Sequence, residues 1–134
     1  MESQKAPFPE LLKQEKQCKL QMRTAGWIAD YPDGDNFMQL LYSPRSGQSN
    51  AGCVKIPEYD KLYEASKRLP AGPERDRLYR RMARLIEVYA PWRLDLARVR
   101  NMLTQPWVKG YRKHPILHAE WLYMDIDEKR TPEP

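Results

Sequence analysis

Three carboxylates, Asp30, Asp33 and Asp35, crowd the stretch GWIADYPDGDNF (26–37) together with Trp27 and Tyr31. Acids at that density can ligate a metal, receive an organic cation, or only shape a turn. The stretch superficially resembles a calcium loop, but such a loop needs acids at alternate positions, a glycine at the sixth and a glutamate at the twelfth. Counting twelve from Asp30 arrives at Leu41, so no metal site is expected. Asp33 and Asp35 have simpler uses. Pro32, Asp33 and Gly34 make a turn, because proline presets φ and glycine accepts a positive φ, and Asp35 is placed to cap a helix through NFMQLLY. Asp30 closes a strand instead of shaping the turn, and two readings stay open for it: a solvated strand-end acid, or an acid that meets a charged partner.

Other reactive residue types are sparse. His114 and His118 stand four apart in KHPILH, a metal-ligand spacing on a helix, but Pro115 argues against a helix there. No further histidine or paired cysteine completes a zinc shell. Cys18 and Cys53 lack CxxC spacing, and whether they form a disulfide is a matter of geometry that the sequence leaves open. Neither a GxSxG nor a P-loop pattern occurs. With these residues, no catalytic constellation and no cofactor site is expected. Arg77, Arg80, Arg81 and Arg84 crowd one side of a helix and could meet phosphates, although Glu74, Asp76 and Glu87 dilute that charge and favour a solvated face. Trp92, Trp107 and Trp121 read as core or interface anchors.

The elements that would position these residues follow from periodicity. Leu11 and Leu12, after Pro9, suit a short helix. In KLQMRTAGWIAD, Leu20, Met22 and Ile28 share one parity, which predicts a strand with one face inward. Gly26 within it marks a place where a ligand or another backbone approaches closely. Residues 43–56 carry the turn formers of a loop. Pro57 opens a helix whose Tyr59, Leu62, Tyr63, Ser66 and Leu69 lie near one face. PAGP (70–73) breaks it, and a longer helix runs from Pro73 to Tyr89 with Leu78, Met82, Leu85 and Tyr89 on its apolar side, ended by Pro91. RLDLARV alternates like a strand, and PWVKGY with HAEWLYMDID reads as loop and strand, before a polar tail.

A chain of 134 residues is the size of one domain or part of one. Its 41% apolar content is too rich for a disordered chain, while twelve prolines and a mean hydropathy of −0.83 argue for a mixed α/β fold with many loops. No apolar run approaches the roughly 18 residues that span a bilayer, and the first residues lack the uninterrupted apolar centre of a signal peptide. A net charge of +5 permits an anionic partner without demanding one.

Taken in order, GWIADYPDGDNF, NAGCVKIPEYDKLYEAS, PERDRLYRRMARLIEVYAPW, QPWVKGY and LYMDID resemble the C-terminal quarter of the family 5 extracellular solute-binding proteins, the oligopeptide- and dipeptide-binding components of ABC importers. The resemblance runs from about residue 18 to residue 127. It implies a two-lobed, class II periplasmic binding protein of the peptide-binding type, exported to the periplasm or cell exterior and monomeric, whose lobes shut over a small solute or short peptide for delivery to a membrane permease. On that basis the chain is expected to be a fragment: residues 18–104 mostly one lobe, residues 105–128 a segment returning toward the other, and 129–134 a tail.

In the peptide-binding members, the acid that ends the Gly-Trp strand pairs with the ligand's N-terminal ammonium while the strand backbone pairs with the ligand. The resemblance therefore assigns the acid to Asp30 and the backbone to Gly26, Trp27 and Ile28. Some oligopeptide receptors carry a cysteine two residues after the glycine and a basic residue two before it; Ile28 and Thr24 stand there, and Arg23 belongs to the opposite strand face. The family also carries nickel complexes, haem, opines and sugars, which leaves the ligand class open. The competing expectation is a basic adaptor or nucleic-acid-binding domain using the arginine helix, residues 74–89; the solute receptor expects no nucleic acid.

Overall fold

A computed structural model describes residues 5–97, 99–114, 116 and 119–130, with the side chain of Arg130 excepted. The chain divides into two compact units, residues 1–93 and 94–134.

The first unit is helical. Its elements are α1 (Phe8–Lys16), α2 (Asp35–Met38), α3 (Pro57–Ser66) and α4 (Pro73–Tyr89), with single 3-10 turns at Gln39–Leu41 and Ser43–Arg45. Proline in the first turn starts both α3 and α4, where its missing N–H costs no hydrogen bond and its φ is already helical. The segment through Pro70 and Gly72 folds α4 back on α3. The core lies on the faces expected from periodicity: Tyr59, Leu62 and Tyr63 of α3 meet Met82 of α4, with Leu41 and Ile56 closing the cluster and Leu78, Leu85 and Trp92 packed at its margin. Tyr89 departs from the expected apolar stripe and is mostly exposed, one residue before Ala90 takes a left-handed φ of 44° and its N–H closes the helix on the Ile86 carbonyl.

Two polar contacts fasten α2 to this pair of helices. The buried Tyr59 hydroxyl donates to the Met38 carbonyl at 2.8 Å, and burial raises its pKa. Arg75 near the start of α4 meets Asp33 at 2.7 Å, with its guanidinium 5.4 Å from the centre of the Tyr79 ring. The Asp33 carboxyl sits below the usual aspartate range, first because it accepts the Asp35 backbone N–H and then because of Arg75. Gly34 has an ordinary right-handed conformation, φ −60°, so the positive φ expected of it is not its reason for being glycine. A Cβ there would lie 2.9 Å from Tyr79 Cε2, and the missing side chain is what lets α2 approach α4.

The loop between α2 and α3 is ordered around Asn50, wholly buried, whose side chain donates to the Val54 carbonyl at 2.8 Å and accepts the Val54 N–H at 3.2 Å. Cys18, just past α1, forms a disulfide with Cys53 in this loop, with Cα atoms 5.7 Å apart. Alongside, Gly47 has φ +74° and runs so close to Lys16 that a Cβ would fall 2.5 Å from its carbonyl oxygen.

In the second unit, β1 (Val108–Lys109) and β2 (Asp125–Ile126) pair antiparallel, Val108 with Ile126 and Lys109 with Asp125. A 2.8 Å bond from the Asp127 N–H to the Trp107 carbonyl extends the ladder, and Lys109 meets the Asp127 carboxylate at 3.0 Å. Leu94, Leu96 and Leu103 are exposed, and no described residue of this unit is fully buried.

Among the described residues the expected mixed fold is realised as helices with one small sheet, and two expected strands are absent. Residues 19–29 carry no strand, and their apolar parity does not point into a core, since Met22 and Ile28 are both exposed. The described residues of RLDLARV carry none either. Alternation alone cannot hold a strand; it needs a neighbouring edge to satisfy its N–H and C=O groups, and β1 with β2 is the described sheet.

Three outcomes follow from this packing. Met82→Ala should lower unfolding free energy by about 2–5 kcal/mol, read from urea titration; a loss below 1 kcal/mol would contradict a core centred on Met82. Reducing the disulfide, which closes a sequence separation of 35, should cost about 2–4 kcal/mol, and an unchanged urea midpoint in reductant would contradict it. Asp33 has a depressed pKa when folded, so its contribution is present above the unfolded-state value near 3.8 and is lost as pH falls through the lower folded one. The stability gap between wild type and Asp33→Asn should therefore be constant above about pH 5 and close below the ordinary aspartate range; a gap that persists in acid would exclude this linkage.

Candidate functional site

Residues 26–37 gather around one side chain that the sequence did not single out. Asn36, in the first turn of α2, is wholly buried. Its Oδ1 accepts the Trp27 indole N–H at 2.6 Å and the Asp30 backbone N–H at 3.3 Å. Its Nδ2 donates to Asp30 Oδ2 at 3.3 Å. One amide therefore ties together Trp27 and Asp30, two of the four expected site residues. The available signal was position: an asparagine two residues after the turn, in a helix too short to bury it by periodicity, is well placed for local hydrogen bonding.

The three acids separate by partner. Asp33 accepts the Asp35 N–H at 2.9 Å as well as the Arg75 guanidinium, so Asp33 holds the start of α2, and the role expected of Asp35 falls to the acid two residues earlier. Gly34 is the residue that precedes the helix, and Asp35 lies inside it. The Asp35 carboxylate instead accepts the Tyr31 hydroxyl at 2.6 Å, a bond that raises the tyrosine pKa. Asp30 is exposed, and among the described residues its carboxylate has the neutral Asn36 amide as partner and no cation. Its negative charge is oriented without being neutralised, whereas that of Asp33 is matched by an arginine.

Gly26, Trp27 and Ile28 lie N-terminal to this acid. A Cβ at Gly26 would meet nothing within 4 Å, Trp27 and Ile28 are nearly half exposed, and among the described residues the backbone groups of 26–29 make no backbone hydrogen bond. Open backbone, an aromatic face and an uncompensated carboxylate are together suited to an extended ligand with a cationic end.

The remaining candidates fall elsewhere. His118 lies outside the described residues, and among the described residues no cluster of ligating side chains could hold a metal. The arginine face of α4 is real: Arg77, Arg80, Arg81 and Arg84 line a shallow cavity of about 370 Å³ with Pro73, while Arg81 faces Glu58 at 3.8 Å and Arg80 donates to the Asp76 carbonyl at 3.4 Å. Among the described residues no helix is long and apolar enough to cross a membrane.

No family model matches the chain, and no solved structure matches it significantly. Curated proteins do. A probable di/tripeptide-binding protein of Pseudomonas aeruginosa is 31% identical over 109 residues, 79% of this chain and 20% of that protein. A periplasmic murein peptide-binding protein of Escherichia coli is 29% identical over 107 residues, 80% of this chain and 18% of its own length. A periplasmic oligopeptide-binding protein of Salmonella typhimurium is 28% identical over 103 residues, covering 75% and 19%. The chain spans about a fifth of the length of these relatives. With three peptide-binding proteins matched over at least three-quarters of its length, the chain belongs to the family 5 extracellular solute-binding proteins.

Proposed function

We propose that this chain supplies part of the ligand site of a non-catalytic receptor, one that captures short peptides or related small solutes between two lobes and delivers them to an ABC permease. The periplasm is the compartment this reading implies, since two of the relatives are named as periplasmic. The first observation in its favour is electrostatic: Asp30 keeps an exposed carboxylate with a neutral amide partner, next to an Asp33 whose charge an arginine matches. An ammonium arriving at Asp30 would make a charge-assisted bond worth about 1.5–3 kcal/mol, and more once closure excludes water.

Generality toward peptide sequence would come from the backbone. The unpaired N–H and C=O groups around Gly26, Trp27 and Ile28 can pair with an extended peptide as a neighbouring strand would, which is indifferent to the peptide's side chains. Gly26, with open space where a Cβ would stand, admits that approach, and Trp27 can wall a side-chain pocket. The strand missing from residues 19–29 then has a physical rationale, because a ligand would supply the edge that the segment lacks. Lobe closure would do the rest, as in other hinge-closing receptors.

In the complete protein that carries this sequence, Asp30→Asn should weaken binding of trialanine by about a hundredfold or more, the loss expected when one partner of a desolvated charge pair is removed. N-acetyl-trialanine, which has no ammonium, should bind weakly to wild type and variant alike. Calorimetry showing equal trialanine affinity for wild type and Asp30→Asn would remove Asp30 from the site.

A further inference from the structure

We infer that Asn36 is the positioning residue of the ligand site: by holding the Trp27 indole and the Asp30 carboxylate through one buried amide, it sets acid and aromatic as a single unit. This deepens the peptide-receptor reading and rests on it for its ligand arm.

The geometry assigns each atom of the amide a task. Oδ1 is saturated by two donors, the Trp27 indole and the Asp30 N–H, so the amide cannot rotate end over end without facing both N–H groups with its own donors. Nδ2 is thereby directed at Asp30 Oδ2. That leaves the other carboxylate oxygen, Oδ1, for an incoming cation. A neutral donor is the fitting residue type here: it restrains the carboxylate rotamer without cancelling the charge, which a lysine or arginine would do. Aspartate at the same place would keep the two accepted bonds but set a second acceptor against Asp30. Alanine would release both partners and leave an indole N–H without its acceptor.

Asn36 is itself set by the helical scaffold. It lies between Asp33, whose carbonyl accepts the Asn36 N–H at 3.1 Å, and Met38, whose carbonyl is held by buried Tyr59. Both sides of its turn are thus anchored to α3 and α4. Sub-ångström placement of the reading groups matters because a pre-arranged site spends less binding energy on ordering side chains.

The test uses the complete protein, with ¹⁵N-labelled tryptophan and asparagine and with trialanine as probe. In the absence of peptide, Asn36→Ala should shift the Trp27 indole resonance, assigned through Trp27→Phe. With peptide, Asp30→Asn should lose about a hundredfold in affinity and Asn36→Ala about tenfold, while the double variant binds no more weakly than Asp30→Asn alone. Losses that multiply in the double variant, or an unmoved indole resonance in Asn36→Ala, would overturn the inference. Should Asp30→Asn leave trialanine affinity unchanged, the peptide reading fails, and the indole resonance alone decides: a shift sustains the positioning role and no shift overturns it. If Asn36→Ala does not fold, Trp27→Phe and Asp30→Ala each remove one side-chain partner of Asn36 from an exposed position. Each should then move the Asn36 side-chain amide resonances, and unmoved resonances would overturn the inference.

Discussion

The 2.8 Å hydrogen bond from the buried Tyr59 hydroxyl to the Met38 carbonyl is the contact through which the helical core reaches the segment of Trp27, Asp30 and Asn36. Tyr59 is locked by its neighbours in the α3–α4 core, so its hydroxyl is a fixed donor. Fixing Met38 fixes the end of α2, a helix of four residues that is too short to hold its own shape by nucleation and propagation alone. Arg75 and Asp33 secure the other end. Between these two anchors stands Asn36, and through it Trp27 and Asp30. A segment with no secondary structure is thereby given defined side chains by a core some residues away.

Charge is partitioned along the same short path. Acids so close in sequence would repel if all were bare and fully solvent-facing, and the structure gives each a distinct environment. Asp33 becomes a partly exposed anion matched by arginine, with a depressed pKa. Asp35 is engaged by a tyrosine hydroxyl. Asp30 is oriented by an amide and keeps its charge. A receptor for cationic groups needs one such acid, and the two others would blur its geometry if they competed for the same cation.

Much of the helical unit was legible because periodicity reports burial directly. Tyr59, Leu62, Tyr63 and Ser66 repeat at helical spacing and are buried together, and Pro57, Pro73 and Pro91 punctuate the helices where proline must. Strands were less legible for a physical reason: alternation at Leu20, Met22 and Ile28 describes a residue pattern, whereas a strand is a relation between two segments, and among the described residues no neighbouring edge pairs with these. The Cys18–Cys53 bond was invisible for a similar reason, since only the approach of α1 to the loop at Gly47 brings their backbones into range. Asn36 was missed because a buried polar residue in a short helix leaves no periodic trace. The five sequence blocks, by contrast, pointed to the family because their order is specific in a way that no single spacing is, and the curated relatives match this chain over at least three-quarters of its length.

Whether Asp30 receives a cation is most directly seen in a crystal structure of the complete protein with a tripeptide bearing a free amino terminus. The expected density places the ammonium nitrogen within about 3 Å of an Asp30 carboxylate oxygen, with the peptide backbone running beside Gly26, Trp27 and Ile28. A peptide whose amino terminus lies against a different acid, with Asp30 left facing water, would contradict the central claim.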